Sequence, residues 1–412
     1  MHRLYTILIQ LVEWLLPVTG LLSTKMRQFV RGRKDVYPRL ASLDPKNPVI
    51  WFHAASLGEY EQGVPVMEAM REAYPNHQLL VTFFSPSGYE IKKDTAFAKS
   101  VTYLPLDTQA NAKKFIATVN PALAIFIKYE FWPNYLKELH RQKTPMLLLS
   151  GVFNKRQTFF KWYGKWMISS LHAFHHFFVQ DEASARLAKS LGFENVTISG
   201  DTRFDRVSRQ LAMDNELDFM RQFKGDHLCV VCGSTWQEDE AILCEYITTH
   251  AETTKFVIAP HQIKEQQLAQ LEKKLGETVA RYSQRDQHDL KACRVLIIDT
   301  IGLLSQIYAY ADVAYVGGAL GKTGLHNILE PATFGIPILT GSHIDRFPEA
   351  QRLQQLAGLY TVKDYEELKP LLDKLLLDNN FKAKTGMIAG HFINSNTGAT
   401  HTVMEYVKGM RV

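Results

Sequence analysis

The stretch Trp51-Phe52-His53-Ala54-Ala55-Ser56-Leu57-Gly58-Glu59-Tyr60 joins a strand to a helix through a turn of small residues. Pro48 to His53 carries no charge and is rich in β-formers, which predicts a short buried strand. Val64, Met67 and Met70 then recur at helical spacing. Strand, small-residue turn and helix is how an α/β protein presents a ligand site at the carboxyl end of its sheet. Ser56 and Glu59 also fit the S-x-x-E capping box, in which the carboxylate folds back onto the backbone N–H of the serine. Locally, Glu59 reads either as a helix cap or as a catalytic carboxylate.

The alternation continues on both sides of this turn. Short apolar strands are predicted at Leu79 to Phe83, Val101 to Leu104, Leu123 to Ile127, Met146 to Ser150 and Phe177 to Gln180, with helices between most of them. A second series begins at Leu228 to Cys232 and continues at Lys255 to Ala259, Val295 to Ile298, Val313 to Val316 and Ile336 to Leu339. Short apolar strands alternating with helices imply parallel sheets covered on both faces. The chain, 412 residues long, therefore accommodates two doubly wound Rossmann-like domains. We divide it into 1–34, an apolar helix with a basic segment, 35–205 and 206–389, the two α/β domains, and 390–412, a final helix that by analogy with other two-domain α/β folds crosses back to the first domain.

Particular residues gather where the strands end. Glu130, in Lys128-Tyr129-Glu130-Phe131-Trp132-Pro133, follows an uncharged strand, where it is either a helix-start carboxylate or an acid with a raised pKa. Gly233-Ser234-Thr235 and Gly317-Gly318 suit close approach to a phosphate. Asn327 and Glu330 open a further helix, as a cap or as ribose ligands. Neither a P-loop nor a dinucleotide fingerprint is present.

A net charge of +5 does not argue for nucleic acid, and no RNA-binding motif is present. The charge is localised instead: Lys25, Arg27, Arg31, Arg33 and Lys34 follow the apolar run Leu4 to Leu22. Thr6, Gln10 and Glu13 make one narrow polar stripe on that run, and Pro17 interrupts it. A helix lying on a membrane, with basic residues on lipid head groups, fits best; a true span or a core helix are the alternatives. Asn154 to His176 is a helix-like stretch of basic and aromatic residues suited to a membrane surface or an anionic amphiphile. The cysteines, Cys229, Cys232, Cys244 and Cys293, lack zinc spacing and read as buried thiols of a reducing cytoplasm.

Trp51 to Glu59, Lys128 to Pro133, Gly200 to Asp205, Gly233-Ser234-Thr235, Tyr315 to Pro331 and Phe347-Pro348-Glu349 together closely resemble the Kdo transferases. These glycosyltransferases move 3-deoxy-D-manno-octulosonic acid (Kdo) from CMP-Kdo to lipid A precursor (lipid IVA). The resemblance runs over nearly the whole chain and implies a GT-B fold, two Rossmann-like domains facing a cleft, at the cytoplasmic face of a bacterial inner membrane. It also implies an inverting enzyme of lipopolysaccharide synthesis with no metal and no cofactor. The family's general base matches Glu59, and its transition-state-stabilising lysine and that lysine's acidic partner match Arg203 and Glu130. CMP contacts carry over to Pro260, His261, Ile301, Gly302, Leu303, Asn327, Ile328, Leu329 and Glu330. The family usually has arginine at His261 and an acid at Leu303. Two other functions suit this architecture: a UDP-sugar transferase or epimerase, and a silent membrane-bound scaffold.

Overall fold

The computed structural model describes residues 1–21, 23–250 and 253–410. Leu22, at the end of the apolar run, and Arg411 and Val412, of the segment 390–412, lie outside the described residues. The chain forms two compact units, Met1–Arg206 with Thr397–Val412, and Val207–Asn396.

The first unit holds β1 (Val49–Ala54), β2 (Gln78–Phe83), β3 (Ser100–Tyr103), β4 (Pro121–Ile127), β5 (Met146–Gly151), β6 (His176–Val179) and β7 (Val196–Ile198). All pair in parallel, in the order β3-β2-β1-β4-β5-β6-β7. The second unit holds β8 (Leu228–Thr235), β9 (Thr254–Pro260), β10 (Val279–Arg281), β11 (Val295–Ile297), β12 (Val313–Val316), β13 (Ile338–Gly341) and β14 (Leu359–Val362), in the order β10-β11-β9-β8-β12-β13-β14. Every residue of β1, β2 and β5 is buried, as a parallel sheet covered on both faces requires. Three edge or near-edge strands, β7, β10 and β14, have no counterpart among the predicted ones. They are short, and β7 and β14 are only partly buried, so they lack the continuous apolar run that marks a central strand.

Each sheet reverses its winding direction once, between β1 and β4 in the first and between β8 and β12 in the second. Loops leaving adjacent strands on either side of such a switch point diverge and open a crevice at the carboxyl end of the sheet. The turn Ala55–Ser56 and the loop from Lys128 leave the first switch point. Ser234–Trp236 and Gly317–Gly318 leave the second.

The helix His2–Thr19 is arranged inside out relative to an ordinary surface helix. Thr6 is buried, and the Tyr5 hydroxyl donates to Asp107 Oδ2 at 2.8 Å. Asn111 Nδ2 donates to Glu13. The opposite side exposes Leu4, Ile7, Leu8, Leu11, Trp14, Leu15 and Val18, with Trp14 at 77 %. The core-helix alternative therefore does not hold, because a core helix buries its apolar side. Among the described residues no helix is long and apolar enough to cross a membrane. Of the basic residues that follow, Lys25, Arg27, Arg31 and Lys34 are exposed. Arg33 is instead an internal strut, its guanidinium 3.5 Å above the Phe29 ring and donating to Phe84 O.

Two further expectations are corrected. Asn154 to His176 is no continuous helix; it forms short turns at Thr158–Phe160 and Lys165–Met167 and one brief helix, Ile168–Leu171. The segment 390–412 is not one element: residues to Asn394 complete the helix Asn379–Asn394 of the second unit, and the separate helix Ala399–Lys408 returns to the first. That return is fixed by Asp205, whose carboxylate accepts from the backbone N–H of Gly398 and Thr400 at 2.6 Å each and from Thr400 Oγ1 at 2.7 Å. Asp205 thus caps the helix from a distant part of the chain. Asp205→Ala should destabilise the first unit by about 1–2 kcal/mol, the usual worth of a cap. Trp14, Trp51, Trp132, Trp162 and Trp166 lie in that unit and only Trp236 in the second, so urea unfolding followed by tryptophan fluorescence reads the effect.

Candidate active site

At the first switch point Ser56 ends β1 in extended backbone and opens the helix Leu57–Ala73. Its backbone N–H and its Oγ both donate to Glu59 Oε2, at 2.7 and 2.6 Å. One carboxylate oxygen is thereby anchored by two donors, while Oε1 makes no hydrogen bond among the described residues. The cap holds Glu59 in a single orientation and leaves an oxygen free to accept a proton.

Glu130 arrives beside it from β4. The backbone leaves the strand through Lys128 at φ 71°, a left-handed conformation uncommon outside glycine. Glu130 Oε2 accepts from Trp132 Nε1 at 3.1 Å, and the same N–H reaches His53 Nε2 at 3.0 Å. Tryptophan can only donate, so His53 Nε2 is the accepting nitrogen and Nδ1 carries the proton. Nδ1 then donates to Thr82 Oγ1 at 2.8 Å, across the register pair His53–Thr82 of β1 and β2. Thr82 Oγ1 also accepts from Trp51 Nε1 at 2.7 Å and donates to Phe52 O. Every buried donor in this chain of contacts has an acceptor, and it ends at Glu130. The Tyr129 hydroxyl is raised above its ordinary pKa, first by burial and then by the charges of Glu59 and Glu130, so its ring lies near both carboxylates.

Arg203 reaches the same end of the sheet because its loop is pinned to the helix Leu57–Ala73. Thr202 Oγ1 donates to Gln62 O, and Gln62 Nε2 donates to Asp201 Oδ1 at 3.1 Å. Asp201 then holds Arg203 twice, through the backbone N–H at 2.9 Å and Nε at 2.8 Å. That side-on grip suits the planar guanidinium and has no equivalent for a lysine ammonium.

In the second unit the residues expected to contact CMP line the carboxyl ends of the strands. Pro260 ends β9, and His261 N–H returns to Thr235 O at 2.9 Å. Gly302 takes φ 100° in the turn after β11, with Ile301 exposed, whereas Leu303 packs on the core. Asn327 Oδ1 accepts from Leu329 N–H and its Nδ2 donates to Glu330 at 3.0 Å, so this pair ties down the start of the helix Leu329–Thr333, which Ile328 precedes. A cavity of about 610 Å³ opens next to Trp236, lined by Gln262, Lys264 and Gln267.

The structure revises the phosphate role expected of the glycine turns. Gly317 N–H is bonded to Gly233 O, and Gly318 N–H to Asp239 Oδ2 at 2.9 Å. Thr235 is fully buried with its hydroxyl on Glu240. A Cβ on Gly233 would stand 2.0 Å from the Tyr308 hydroxyl. These positions let strand ends and helices approach one another, and their donors are used inside the unit. Of the set only Ser234, a bulge residue at φ 54°, is not committed in this way.

Residues with no predicted role organise this end of the sheet. Asp239, wholly buried, accepts from Trp236 N, Gly318 N and the Tyr315 hydroxyl, tying β8 to β12; burial raises its carboxyl against those donors. Trp236 stacks on His261 at 4.7 Å and donates from Nε1 to His326 Nε2 at 3.1 Å. Burial lowers the pKa of His261 and pushes His326 down to about 4, helped by His261. Desolvation favours the uncharged form of His261, whereas an arginine at this position would carry a permanent charge. The spacing of Trp236 and Asp239, a helix-start position and its third residue, is the sequence signal for the tie; nothing local marks His326. Among the described residues no group of His, Cys, Asp and Glu is placed to hold a metal ion, and all four cysteines are free and buried.

The family model for 3-deoxy-D-manno-octulosonic-acid transferase matches residues 29–206. The Kdo transferase of Haemophilus influenzae is 29 % identical over 411 residues, covering 94 % of this chain and 93 % of that one. The enzyme of Chlamydophila psittaci is 28 % identical, over 83 % and 82 %. The chain is thus similar to Kdo transferases over most of its length. Members of this family are glycosyltransferases, and the fold agrees. UDP-GlcNAc 2-epimerase from Neisseria meningitidis superposes with a TM-score of 0.62 at 12 % identity, over 88 % of this chain and all of that one. MurG of Acinetobacter baumannii gives 0.54 at 11 % identity, over 88 % and 100 %. At such identities the likeness is one of fold, and the fold is GT-B-like.

The half-buried His326 gives this Kdo transferase homologue an acid-sensitive second unit. Unfolding exposes His326, which then takes up a proton near pH 6.5, whereas in the folded unit it does so only near pH 4. The unfolded chain binds more protons throughout that window, so stability is lost as pH falls through it. His326→Gln should flatten the fall in unfolding midpoint between pH 6.5 and pH 4.5, read by the fluorescence of Trp236, the tryptophan of that unit.

Proposed function

We propose that the protein transfers Kdo from CMP-Kdo to lipid IVA, with inversion at the anomeric carbon and without a bound metal. The supporting observation is the state of Glu59: Oε2 is anchored by Ser56 and Oε1 is unengaged. Oε1 takes the proton of the acceptor hydroxyl as that oxygen bonds to the anomeric carbon. The bond from that carbon to the phosphate oxygen breaks, and CMP leaves with the electron pair. CMP is a good leaving group, so the step needs charge stabilisation more than an acid; Arg203 supplies it, with Glu130 ordering the surrounding groups. Pro260, His261, Ile301 to Leu303 and Asn327 to Glu330 are the CMP contacts, with Leu303 contributing through its backbone.

The same reading includes a peripheral attachment to the inner face of the bacterial inner membrane. An exposed apolar helix face beside Lys25, Arg27, Arg31 and Lys34 has the composition of an interfacial helix on anionic lipid. The double variant Leu8→Glu/Leu11→Glu should reduce co-sedimentation with vesicles containing anionic lipid and leave unfolding unchanged, since neither side chain is buried.

Transfer is tested with CMP-Kdo generated in the assay and tetra-acylated lipid A precursor, in the presence of EDTA. Wild type should be active and folded Glu59→Ala slower by at least ~100-fold, the low end for loss of a general base. Equal rates would return Glu59 to a capping role alone. No transfer by either would direct the search to UDP-sugar donors.

A further inference from the structure

A cavity of about 370 Å³ lies in the first unit. Tyr129 and Phe131, the neighbours of Glu130 in the chain, form one wall, and Phe159 and Met167 the other. We propose that this cavity takes one acyl chain of an anionic lipid acceptor and so sets the acceptor's position against the catalytic carboxylates. The inference rests on the acceptor reading given under Proposed function and adds a subsite to it.

Aromatic and thioether surface makes up the apolar part of the lining, beside Asn154, Gln157 and Thr158. Phe159 is buried and meets Phe131 edge-on at 5.5 Å and Phe153 at 5.9 Å, a geometry that aromatic pairs favour. The polar residues at the rim have little left to offer a ligand. Asn154 Oδ1 accepts from Arg156 N–H, Gln157 Oε1 accepts from Asn154 N–H, and Gln157 Nε2 donates to Val152 O. An occupant would meet the Tyr129 and Phe131 rings and the Met167 thioether, surface that favours hydrocarbon. The volume is at the low end for ligand sites and suits one chain.

Two continuities identify the hydrocarbon as part of an anionic lipid. On one side, Met167 follows Trp166, whose ring packs on His2 and Tyr5 of the helix His2–Thr19 at 5.3 Å each. The outward face of that helix is the exposed apolar one, so the cavity adjoins the surface that would meet a bilayer. On the other side, Tyr129 lies near both Glu59 and Glu130. The loop between these ends carries Lys155, Arg156, Lys161 and Lys165, all exposed and, among the described residues, without a carboxylate at ion-pair distance. Unpaired cations beside an apolar cavity complement the phosphates of an acidic amphiphile.

Thr158→Trp and Met167→Trp each place a large ring in the cavity, and circular dichroism checks that they fold. Titration calorimetry of full-length protein with dodecyl phosphate, below its micelle concentration, reads occupancy directly. Both variants should bind at least about tenfold more weakly than wild type, since each methylene excluded is worth roughly fourfold. Their co-sedimentation with anionic vesicles, which reads the outer face of the helix His2–Thr19, should match wild type. In transfer assays the wild-type preference for tetra-acylated over O-deacylated acceptor should collapse through a raised KM for the acylated one. Equal binding by wild type and variants, or no binding by wild type, would overturn the proposal. If wild type transfers Kdo to neither acceptor, the acceptor reading fails and the calorimetric comparison still decides whether the cavity holds an acyl chain.

Discussion

Burial of both faces of a parallel sheet controls where this protein can keep reactive groups. The central strands of each unit offer side chains only to packed helices, so a charge placed mid-strand would lose its water and gain no partner. Polar residues are left to the strand ends, and reversal of the winding direction opens two of those ends into a crevice. Glu59 and Glu130 come from β1 and β4, the pair that flanks the reversal in the first unit. Trp236 and Gly318 come from the equivalent pair in the second. His53 is the instructive exception. It is fully buried in a strand, and it is accommodated because Thr82 and Trp132 use both ring nitrogens.

The Ser56–Glu59 arrangement is compatible with both a cap and a general base. A carboxylate has two oxygens, and the helix start uses one of them. Capping fixes the side chain before any substrate arrives, which removes a rotamer cost from the reactive geometry. Asp239 applies the same device in the second unit, where a carboxylate at a helix start clamps two strand ends together. The glycines around it serve that clamp. The Gly318 amide is consumed by it and the Gly317 amide by Gly233 O, so neither is left for an anion.

Anchoring of the helix His2–Thr19 runs through its polar atoms. Tyr5 on Asp107 and Asn111 on Glu13 are hydrogen bonds to carboxylates, each worth about 1.5–3 kcal/mol when made away from water. Burial pushes Asp107 up to about 7, and the donors around it, Tyr5 and the backbone of Asn134 and Tyr135, work against that rise. Holding the helix by its polar stripe leaves its apolar side facing outward, next to the aromatic cavity beside Glu130. An exposed apolar helix face and an aromatic-lined cavity are thus both features of the first unit.

Periodicity and strand-end composition were enough to read the parallel sheets, their central strands and the division into two α/β units. Burial on two faces demands long uncharged runs that are visible without coordinates. The same rule explains why β7, β10 and β14 were not legible: strands near an edge need no such run. The S-x-x-E spacing made the Glu59 cap readable, because both partners lie within one helical turn. Residues joined by the fold alone were not readable. The Trp132–His53–Thr82 relay, the Asp205 cap on Ala399–Lys408, the Trp236–His326 bond and the fate of the Gly317 and Gly318 amides all connect segments far apart in the chain. The sequence by itself determined where polar groups could survive, since desolvation acts residue by residue. Only the tertiary structure decided which of them satisfy one another, because a hydrogen bond requires two groups to meet within about 3 Å.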